Sequence, residues 1–425
     1  MKIAVEELEA CKRSLQVEAP EDLVQKAWAG AYERIQRQAR LPGFRRGHVP
    51  RSLVKLHFAE EVRQEVARRL IPEVYRQALA ETKIRPVEEP NFKDVTLEEG
   101  SSLKFTAVVE IKPTITLGIY TGLTLQRASA SVTDEDVEET LCRLREQQAE
   151  FRVVERAAGA GDLVIIDYTL APEGMEPKSE RGYAFVVGSE GILPEINEAV
   201  IGLAAGGERD ARVRFPESHQ REDLRGKPGE ARVRVVEVKE KVLPPLDDGL
   251  AKALGEHESL EALRAAIRKE LEGRREREAR RALEEKTVDA LLAGHDFQVP
   301  EALVLRQVAY LIESARERIR QSGGDPDRIS WDYGKLADEL RPAADRTVRR
   351  ALLLEAIAER EGLTPSDADL EAEVERIALA SRRPAQAVRR LLEKGGELDG
   401  LRISLREART MDFLIEHAIV QTDVH

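Results

Sequence analysis

The chain has 425 residues, of which 42% are hydrophobic and 34% charged, and it carries a net charge of −12 at pH 7. This length predicts two to four domains, and the negative charge argues against DNA or any general nucleic acid as a partner. The two cysteines, Cys11 and Cys142, stand far apart, so we expect two small buried side chains rather than a disulfide or a zinc site. The charged N-terminus and the lack of any stretch near the roughly 18 apolar residues of a membrane span predict a cytoplasmic protein without a membrane partner.

Residues 1–112 have the pattern of an α+β domain. Pro20 suits the first turn of a helix, in which apolar residues recur at helical spacing from Val24 to Ala39. The zone ends in a strand with period-two alternation, residues 103–111. We therefore predict two helices on a small antiparallel sheet. The second helix is marked by apolar residues at every fourth position: Val54, Phe58, Val62, Val66 and Leu70.

Three further zones follow along the chain. Residues 113–155 are predicted to form a linker containing a helix, which the capping box of Thr133 and Asp136 opens. Residues 156–242 are rich in short strands separated by glycine and proline. Residues 243–425 are almost wholly helical. The apolar stripes on those helices indicate a mutual core with some excess apolar surface.

The most conspicuous feature is the break between the first two helices, residues 41–50, which read LPGFRRGHVP. Its glycines allow a sharp turn and its prolines stiffen the ends. Seven basic residues and no acid lie between Arg34 and Lys55, a local footprint for a polyanion. Phe44 beside two arginines suits a docking tip for a ribonucleoprotein surface. Two plainer interpretations stay open, a solvated basic helix face and a Phe44 that folds back into its own core.

Residues 43–50 resemble the trigger factor signature G-F-R-x-G-K-x-P at seven of its eight places, counting the free one, and His48 replaces the usual lysine. The similarity extends to residues 62–66 and 143–148 and to the order of the zones, so it covers nearly the whole chain. It implies an ATP-independent bacterial chaperone that docks at the exit tunnel of the large ribosomal subunit and holds nascent and unfolded polypeptides. The implied contacts with ribosomal protein and rRNA come from Phe44, Arg45 and Arg46, with Gly43, Gly47 and Pro50 as loop supports.

The same resemblance describes the rest of the chain. It implies that the C-terminal helices form a body with two arms, onto which the helix of residues 113–155 packs. It associates the family with protein transport and with the cell division cycle. It leaves open a weak homodimer off the ribosome.

For residues 156–242 the resemblance implies an inserted FKBP-like peptidyl-prolyl isomerase domain, an antiparallel sheet with a short helix. Isomerisation needs an apolar, aromatic-lined cup and donors for the rotating carbonyl, not a nucleophile or a metal. Several aromatic places of the family's cup are vacated, at Pro177, Ile196, His219 and Val233, and Glu195 replaces a glycine. We therefore expect the fold to be kept and the activity to be reduced. The candidate pocket residues are Tyr168, Tyr183, Ile192, Leu193, Ile196, His219 and Val233.

No other catalytic pattern stands out, since the histidines lack metal-ligand spacing and no GxSxG or P-loop string occurs. The sequence therefore predicts no cofactor and no metal. Three hypotheses remain: a ribosome-docked chaperone, a prolyl isomerase whose helices only recruit substrate, and a structural ribosome-associated factor.

Overall fold

The computed structural model describes residues 1–42, 44–45, 47–189, 191–219, 221–255 and 257–422. The chain forms two compact units, one made of Met1–Ala128 with Arg280–His425 and the other of Ser129–Ala279. Helices and sheets are segregated along the chain into an N-terminal α+β part, a β-rich middle and a helical C-terminal part. The predicted multidomain α+β class is confirmed.

The N-terminal part packs three helices on one antiparallel sheet of four strands, and a fifth strand follows outside that sheet. Its elements are β1 Lys2–Glu9, β2 Lys12–Ala19, α1 Glu21–Gln38, α2 Arg51–His57, α3 Ala59–Thr82, β3 Asn91–Thr96, β4 Leu103–Glu110 and β5 Thr124–Arg127. The strand order β1-β2-β4-β3 places β2 and β4 in the centre.

The core of this part follows from two periodicities. Alternate residues of β4, from Leu103 to Val109, are buried on the face that meets the helices. Helix α1 contributes Trp28 and Tyr32, and α3 contributes Val66 and Leu70 at a four-residue spacing. The two ends of the break between α1 and α2 are therefore fixed on packed helices.

The predicted second helix is in fact two helices. Phe58 separates α2 from α3, with φ −128° and ψ 27°. Hydrogen bonding continues across the bend, because the Phe58 N–H donates to Val54 O at 2.9 Å and Phe58 O accepts from the Val62 N–H at 3.0 Å. The four-residue apolar period persists because both helices face the same core. Periodicity alone could not reveal the bend.

The second unit is built around a five-stranded antiparallel sheet. Its elements are α4 Asp134–Gln147, β6 Glu150–Val154, β7 Leu163–Pro172, β8 Lys178–Val186, α5 Pro194–Val200, β9 Glu208–Arg214, β10 Pro228–Val242 and α6 Asp248–Leu254. The long strand β10 pairs with β7 along one edge and with β6 and β9 along the other, and β8 extends the sheet beyond β7. Helix α5 contributes Ile196 and Val200 to the core of this sheet.

Helix α4 packs in the same unit with α6 and with the first part of α7, Leu260–Ala293. Cys142 on α4 is exposed, so the expectation of two buried thiols is wrong for this residue. It follows the buried Leu141, and one helical step turns a side chain by about 100° away from the core. Cys11 is buried, with its Sγ 3.3 Å from Gln298 O.

The C-terminal part is helical apart from one short strand that pairs in parallel with β5. Its elements are α8 Glu301–Gln321, α9 Tyr333–Glu361, α10 Asp367–Ser381, α11 Ala385–Gly395, α12 Glu397–Glu416 and β11 Ile419–Thr422. Residues from the end of α7, from α9 and from α12 share one buried cluster, which includes Leu291, Ile357 and Leu414. Across the described ranges, no helix has both the length and the apolar character to traverse a membrane.

Candidate functional site

The loop of residues 41–50 is shaped by two successive turns. The Phe44 N–H donates to Leu41 O at 3.1 Å, and the His48 N–H donates to Arg45 O at 3.0 Å. Gly47 has a φ of +84°, in the left-handed region that side chains other than glycine rarely adopt. The glycine at this position is therefore required by the turn that returns the chain to α2.

The second end of the loop is anchored in the N-terminal core. Val49 is fully buried, and its carbonyl oxygen accepts a hydrogen bond from Gln36 Nε2 on α1 at 2.7 Å. Pro50 then precedes the first turn of α2, where its missing N–H leaves no hydrogen bond unmade. Phe44 and Arg45 are consequently followed by a segment that is fixed to the core.

The tip of the loop carries an aromatic and a basic side chain into solvent. Phe44 is 41% exposed, and it is not among the residues that pack in the core of the N-terminal part. Arg45 is exposed beside it. The interpretation in which Phe44 folds back would require it to be buried. Gly43 and Arg46, which belong to the same candidate site, lie outside the described residues.

The basic residues around the loop divide into two groups. Arg34, Arg37 and Lys55 each have a carboxylate partner, with Lys55 Nζ 2.7 Å from Glu99. Arg51 lies over the Tyr32 ring, 4.8 Å from its centroid, and its charge, after the hydrogen bond from Lys55, helps to lower the pKa of Glu99. Among the described residues of the run, Arg40 and Arg45 have no ion pair. Uncompensated positive charge is therefore concentrated at the loop and its immediate ends, where a polyanion would meet it.

A buried carboxylate fixes the helices beneath the loop. Glu65 on α3 is 7% exposed, and its oxygens accept from Arg34 Nε of α1 at 3.0 Å, from Arg69 Nε at 2.7 Å and from Arg68. We call these four residues the Glu65 cluster. The hydrogen bond from Arg68, followed by that from Arg69, outweighs burial and lowers the pKa of Glu65 to about 2. Sequence reasoning missed this cluster, because it assigned Arg34 to the basic run and gave no role to an acid 31 residues away.

The candidate pocket of the second unit begins with a group of aromatic rings. Tyr168 on β7 and Tyr183 on β8 meet edge to face, with ring centroids 5.7 Å apart, and Tyr183 lies 6.0 Å from Phe185. The Tyr168 hydroxyl donates to Glu180 Oε2 at 2.7 Å. Burial and that hydrogen bond raise the pKa of Tyr168 to about 12, so its hydroxyl stays protonated near neutral pH.

The remaining pocket candidates all lie in or beside the apolar core of the second unit, but they differ in how deeply they are buried. Ile196 and Val233 are core members at 8% and 0% exposure, and Ile192 and Leu193 pack against that core. His219 joins through Phe215, with ring centroids 5.4 Å apart. Val233 therefore offers no open surface to a ligand. Two aromatic side chains that the sequence did not single out as pocket candidates, Phe185 and Phe215, belong to the same buried cluster, and Phe185 shares a strand face with Tyr183 two positions earlier.

A carboxylate stands between the pocket candidates in the sequence. Glu195 Oε1 accepts from the Arg214 N–H at 3.2 Å, while Oε2 is buried without a hydrogen-bond partner among the described residues. Leaving a buried charged oxygen unpaired is costly. This charge beside Ile196 differs from the apolar lining that a proline ring prefers.

The described residues thus combine an exposed loop tip, Phe44 with Arg45, and a buried cluster in the second unit that includes Phe185 and Phe215. No cluster of three or more His, Cys, Asp or Glu side chains that could hold a metal occurs in the described part of the chain.

Comparison with known proteins places this architecture in one family. The model of the bacterial trigger factor protein matches residues 1–144, and the model of the trigger factor C-terminus matches residues 259–416. Trigger factors of Moorella thermoacetica and Geobacillus kaustophilus are each 35% identical to the chain. The first match covers 98% of this chain and 95% of the relative, and the second covers 99% and 100%. The chain belongs to the trigger factor family.

The fold has a counterpart among solved structures. One similar solved structure is that of a trigger factor chaperone, described for promiscuous substrate recognition in folding and assembly activities. The match covers 98% of this chain and 99% of the chain in that structure. The TM-score is 0.54 at 20% identity, which shows a shared fold.

The Glu65 cluster leads to a pH-dependent prediction. A carboxylate whose native pKa lies near 2, below its ordinary 4.5, adds stability that is complete above about pH 4.5 and is lost as the pH falls toward 2. We expect Glu65→Gln to lower the urea midpoint at pH 7 and to flatten its decline between pH 6 and pH 3. The buried Trp28 reports on this part of the chain when Trp331 is replaced by Phe.

The exposed Glu73 in the interior of the same helix supplies the control, because no ion pair or hydrogen bond engages its side chain in the described structure. Glu73→Gln should leave the pH profile unchanged. Equal profiles for Glu65→Gln and the unsubstituted protein would contradict the assignment.

Proposed function

We propose that the chain is an ATP-independent chaperone that docks on the large ribosomal subunit at the tunnel exit and holds nascent and unfolded polypeptides. The observation that carries this proposal is the exposed tip of Phe44 and Arg45 on a loop with anchored ends. A large apolar side chain exposed to water at the tip of a loop is stabilised when it docks into a partner. Family membership supports the same function, and it implies the cytoplasm as the place of action.

The charge pattern supports an RNA component in the docking surface. In a chain of net charge −12, the unpaired Arg40 and Arg45 form a local exception at the loop. Arginine pairs bidentately with phosphate and stacks on bases. We propose that Phe44 meets ribosomal protein and that Arg45 and Arg46 meet rRNA, with Gly43, Gly47 and Pro50 shaping the loop.

Holding of polypeptides is assigned to the helical part of the chain. Its helices leave large apolar side chains in solvent, which supports a role in binding unfolded segments. The proposed domains are a docking domain of residues 1–112, a linker of 113–155, an isomerase domain of 156–242 and a chaperone domain of 243–425. The exposed side chains of the last domain include Leu305, Tyr310, Leu379, Leu391 and Ile403.

A second activity is proposed for residues 156–242, a prolyl isomerase of reduced rate. The perpendicular Tyr168 and Tyr183 rings support a pocket that receives a proline ring. The aliphatic Ile196, the buried Val233 and the charged Glu195 support a rate below that of an aromatic-lined relative. Catalysis here depends on packing around a twisted, desolvated amide, which each missing aromatic weakens.

The docking proposal predicts the behaviour of a loop variant. Replacing Phe44, Arg45 and Arg46 with Ala should abolish co-sedimentation with ribosomes while thermal unfolding barely changes, because the tip contributes little to the core. Binding of the unsubstituted protein should also weaken as salt rises, since phosphate contacts release counterions.

The matched control carries the same types of substitution on α8, at the exposed Leu305, Arg306 and Arg318. That variant should bind ribosomes normally. Loss of folding together with binding in the loop variant would favour a structural role for Phe44, and salt-insensitive binding would count against rRNA.

The isomerase proposal predicts turnover in a proline-tetrapeptide assay that is lower by about one to three powers of ten than that of an aromatic-complete relative. Ile196→Phe should recover part of the rate. An aromatic at Val233 should recover less, because inserting volume at a fully buried position costs about 1–3 kcal/mol in strain. Turnover equal to that of the relative would refute the pocket assignment.

A further inference from the structure

The turn between α10 and α11 carries an unusual charge for this chain. Residues 379–394, here called the basic tip, hold five basic residues and one acid. That acid, Glu393, pairs with Arg389 at 2.9 Å, and Arg389 also pairs with Glu371 of α10. The other four cations have no carboxylate partner among the described residues: Arg382, Arg383, Arg390 and Lys394.

Apolar side chains stand exposed among these cations. Leu379 is 82% exposed at the end of α10, and Leu391 is 57% exposed on α11. The small core of this helical hairpin uses other residues, chiefly Val374, Ala378 and Val388. Leu379 and Leu391 therefore do not contribute to the core of the hairpin. The basic tip thus combines uncovered apolar surface with uncompensated positive charge.

The backbone of the tip offers a way to remove one of these cations without destabilising the fold. Arg382 ends α10 with a φ of +52°, in the left-handed region that glycine occupies without strain. A glycine there would make the fold no less stable, so the contribution of the guanidinium to binding can be tested separately from folding.

The turn between α8 and α9 has the opposite character. Residues 325–339 carry five acids and two bases, and they present Trp331 stacked on Tyr333 with centroids 6.4 Å apart. The turn at residues 325–339 and the basic tip therefore carry net charges of opposite sign. A charged partner would therefore bind one of these turns in preference to the other.

We propose that the basic tip binds unfolded polypeptide segments in which carboxylates flank apolar side chains. The leucines would cover the apolar groups, and the four unpaired cations would pair with the carboxylates at the rim. This inference rests on the proposed chaperone function and specifies the chemistry of one class of client. Charge complementarity selects the occupant, because a neutral or basic segment would leave the cations of the tip unpaired.

The test measures binding of three labelled, unstructured peptides to the full chain: leucine alternating with glutamate, with glutamine and with lysine. The glutamate peptide should bind most tightly at low salt, and its advantage should shrink as salt rises. The variant Arg382→Gln, Arg383→Gln, Arg390→Gln should lose about tenfold in affinity for the glutamate peptide, since each exposed ion pair contributes a fraction of that factor. Affinity for the glutamine peptide should not change.

A variant with the same change in net charge provides the control. Arg281, Arg306 and Arg318 are exposed, and no ion pair engages them in the described structure. Their replacement by Gln should leave glutamate-peptide binding intact. Equal losses in the two variants, or equal binding of the glutamate and glutamine peptides, would overturn the proposal.

Glycine at the strained position separates function from folding. Arg382→Gly should keep the Tm or raise it by about 1–3 °C while weakening glutamate-peptide binding about two- to threefold. Lys83 ends α3 with a φ of +57°, so Lys83→Gly relieves the same strain and removes the same charge at another place. It should not affect peptide binding. A lower Tm or unchanged binding in Arg382→Gly would contradict the role of Arg382.

Other occupants of the tip give distinct results. An oligouridine that binds more tightly than the glutamate peptide through the same three arginines would assign the tip to RNA and overturn the proposal. A triple variant that changes only self-association, measured by sedimentation, would assign the tip to a second copy of the chain. Equal binding of the three peptides to the unsubstituted protein would refute this inference alone, whereas no binding of any peptide to it would also contradict the chaperone function.

Discussion

The Glu65 cluster is the interaction on which the exposed loop depends. The loop leaves α1 and returns through α2 to α3, and its direction follows from how α1 and α3 are fixed to each other. Arg34 of α1 reaches the buried Glu65 of α3 at 3.0 Å, while Arg68 and Arg69 satisfy the remaining capacity of the carboxylate. A buried carboxylate with one partner removed would be an uncompensated charge, so the cluster acts as a unit. Val49, buried and hydrogen-bonded to Gln36, completes the base.

Charge is distributed in this chain by local compensation. Most basic residues on the long helices pair with acids three or four positions away or on a neighbouring helix, as the ion pair of Arg264 with Glu138 illustrates. Unpaired cations also occur singly, as at Arg281, but the loop with Arg40 and Arg45 and the basic tip with its four unpaired cations each bring several of them close together in the sequence. Exposed ion pairs add little stability, so pairing mainly removes local fields. A group of neighbouring unpaired cations keeps a local positive field that can attract an anionic partner.

The sequence predicted those features of the fold that depend on short-range periodicity. The alternation in β4 and the four-residue repeat of α1 translate directly into one buried face each, and the capping box at Thr133 starts α4. The bend at Phe58 was not predicted, because the apolar residues keep the same four-residue spacing through α2 and α3 and both helices bury them in one core. The exposure of Cys142 was not predicted because the expectation rested on the usual burial of cysteine. Its position around the axis of α4, one residue after the buried Leu141, decides that its side chain is exposed.

Long-range pairings were the features that the sequence could not supply. Glu65 has no local pattern that marks it as the partner of Arg34, and only the packing of α1 on α3 brings them together. The pocket was predicted as a set of residue types, yet whether Val233 faces a cup or a core depends on how β10 pairs with both neighbours. The loop motif was easier to recognise, because its ten residues act together as one contiguous segment.

The central claim is that the loop tip itself touches the ribosome beside the tunnel exit. Incorporation of a photoreactive phenylalanine analogue at position 44 tests this contact directly, with the exposed Tyr310 of α8 as a second labelled position. On irradiation with ribosomes, the label at 44 is expected to cross-link to protein or rRNA of the large subunit at the exit, and the label at 310 is expected not to. Cross-links from position 44 that go only to the chain itself, or to sites away from the exit, would contradict the account.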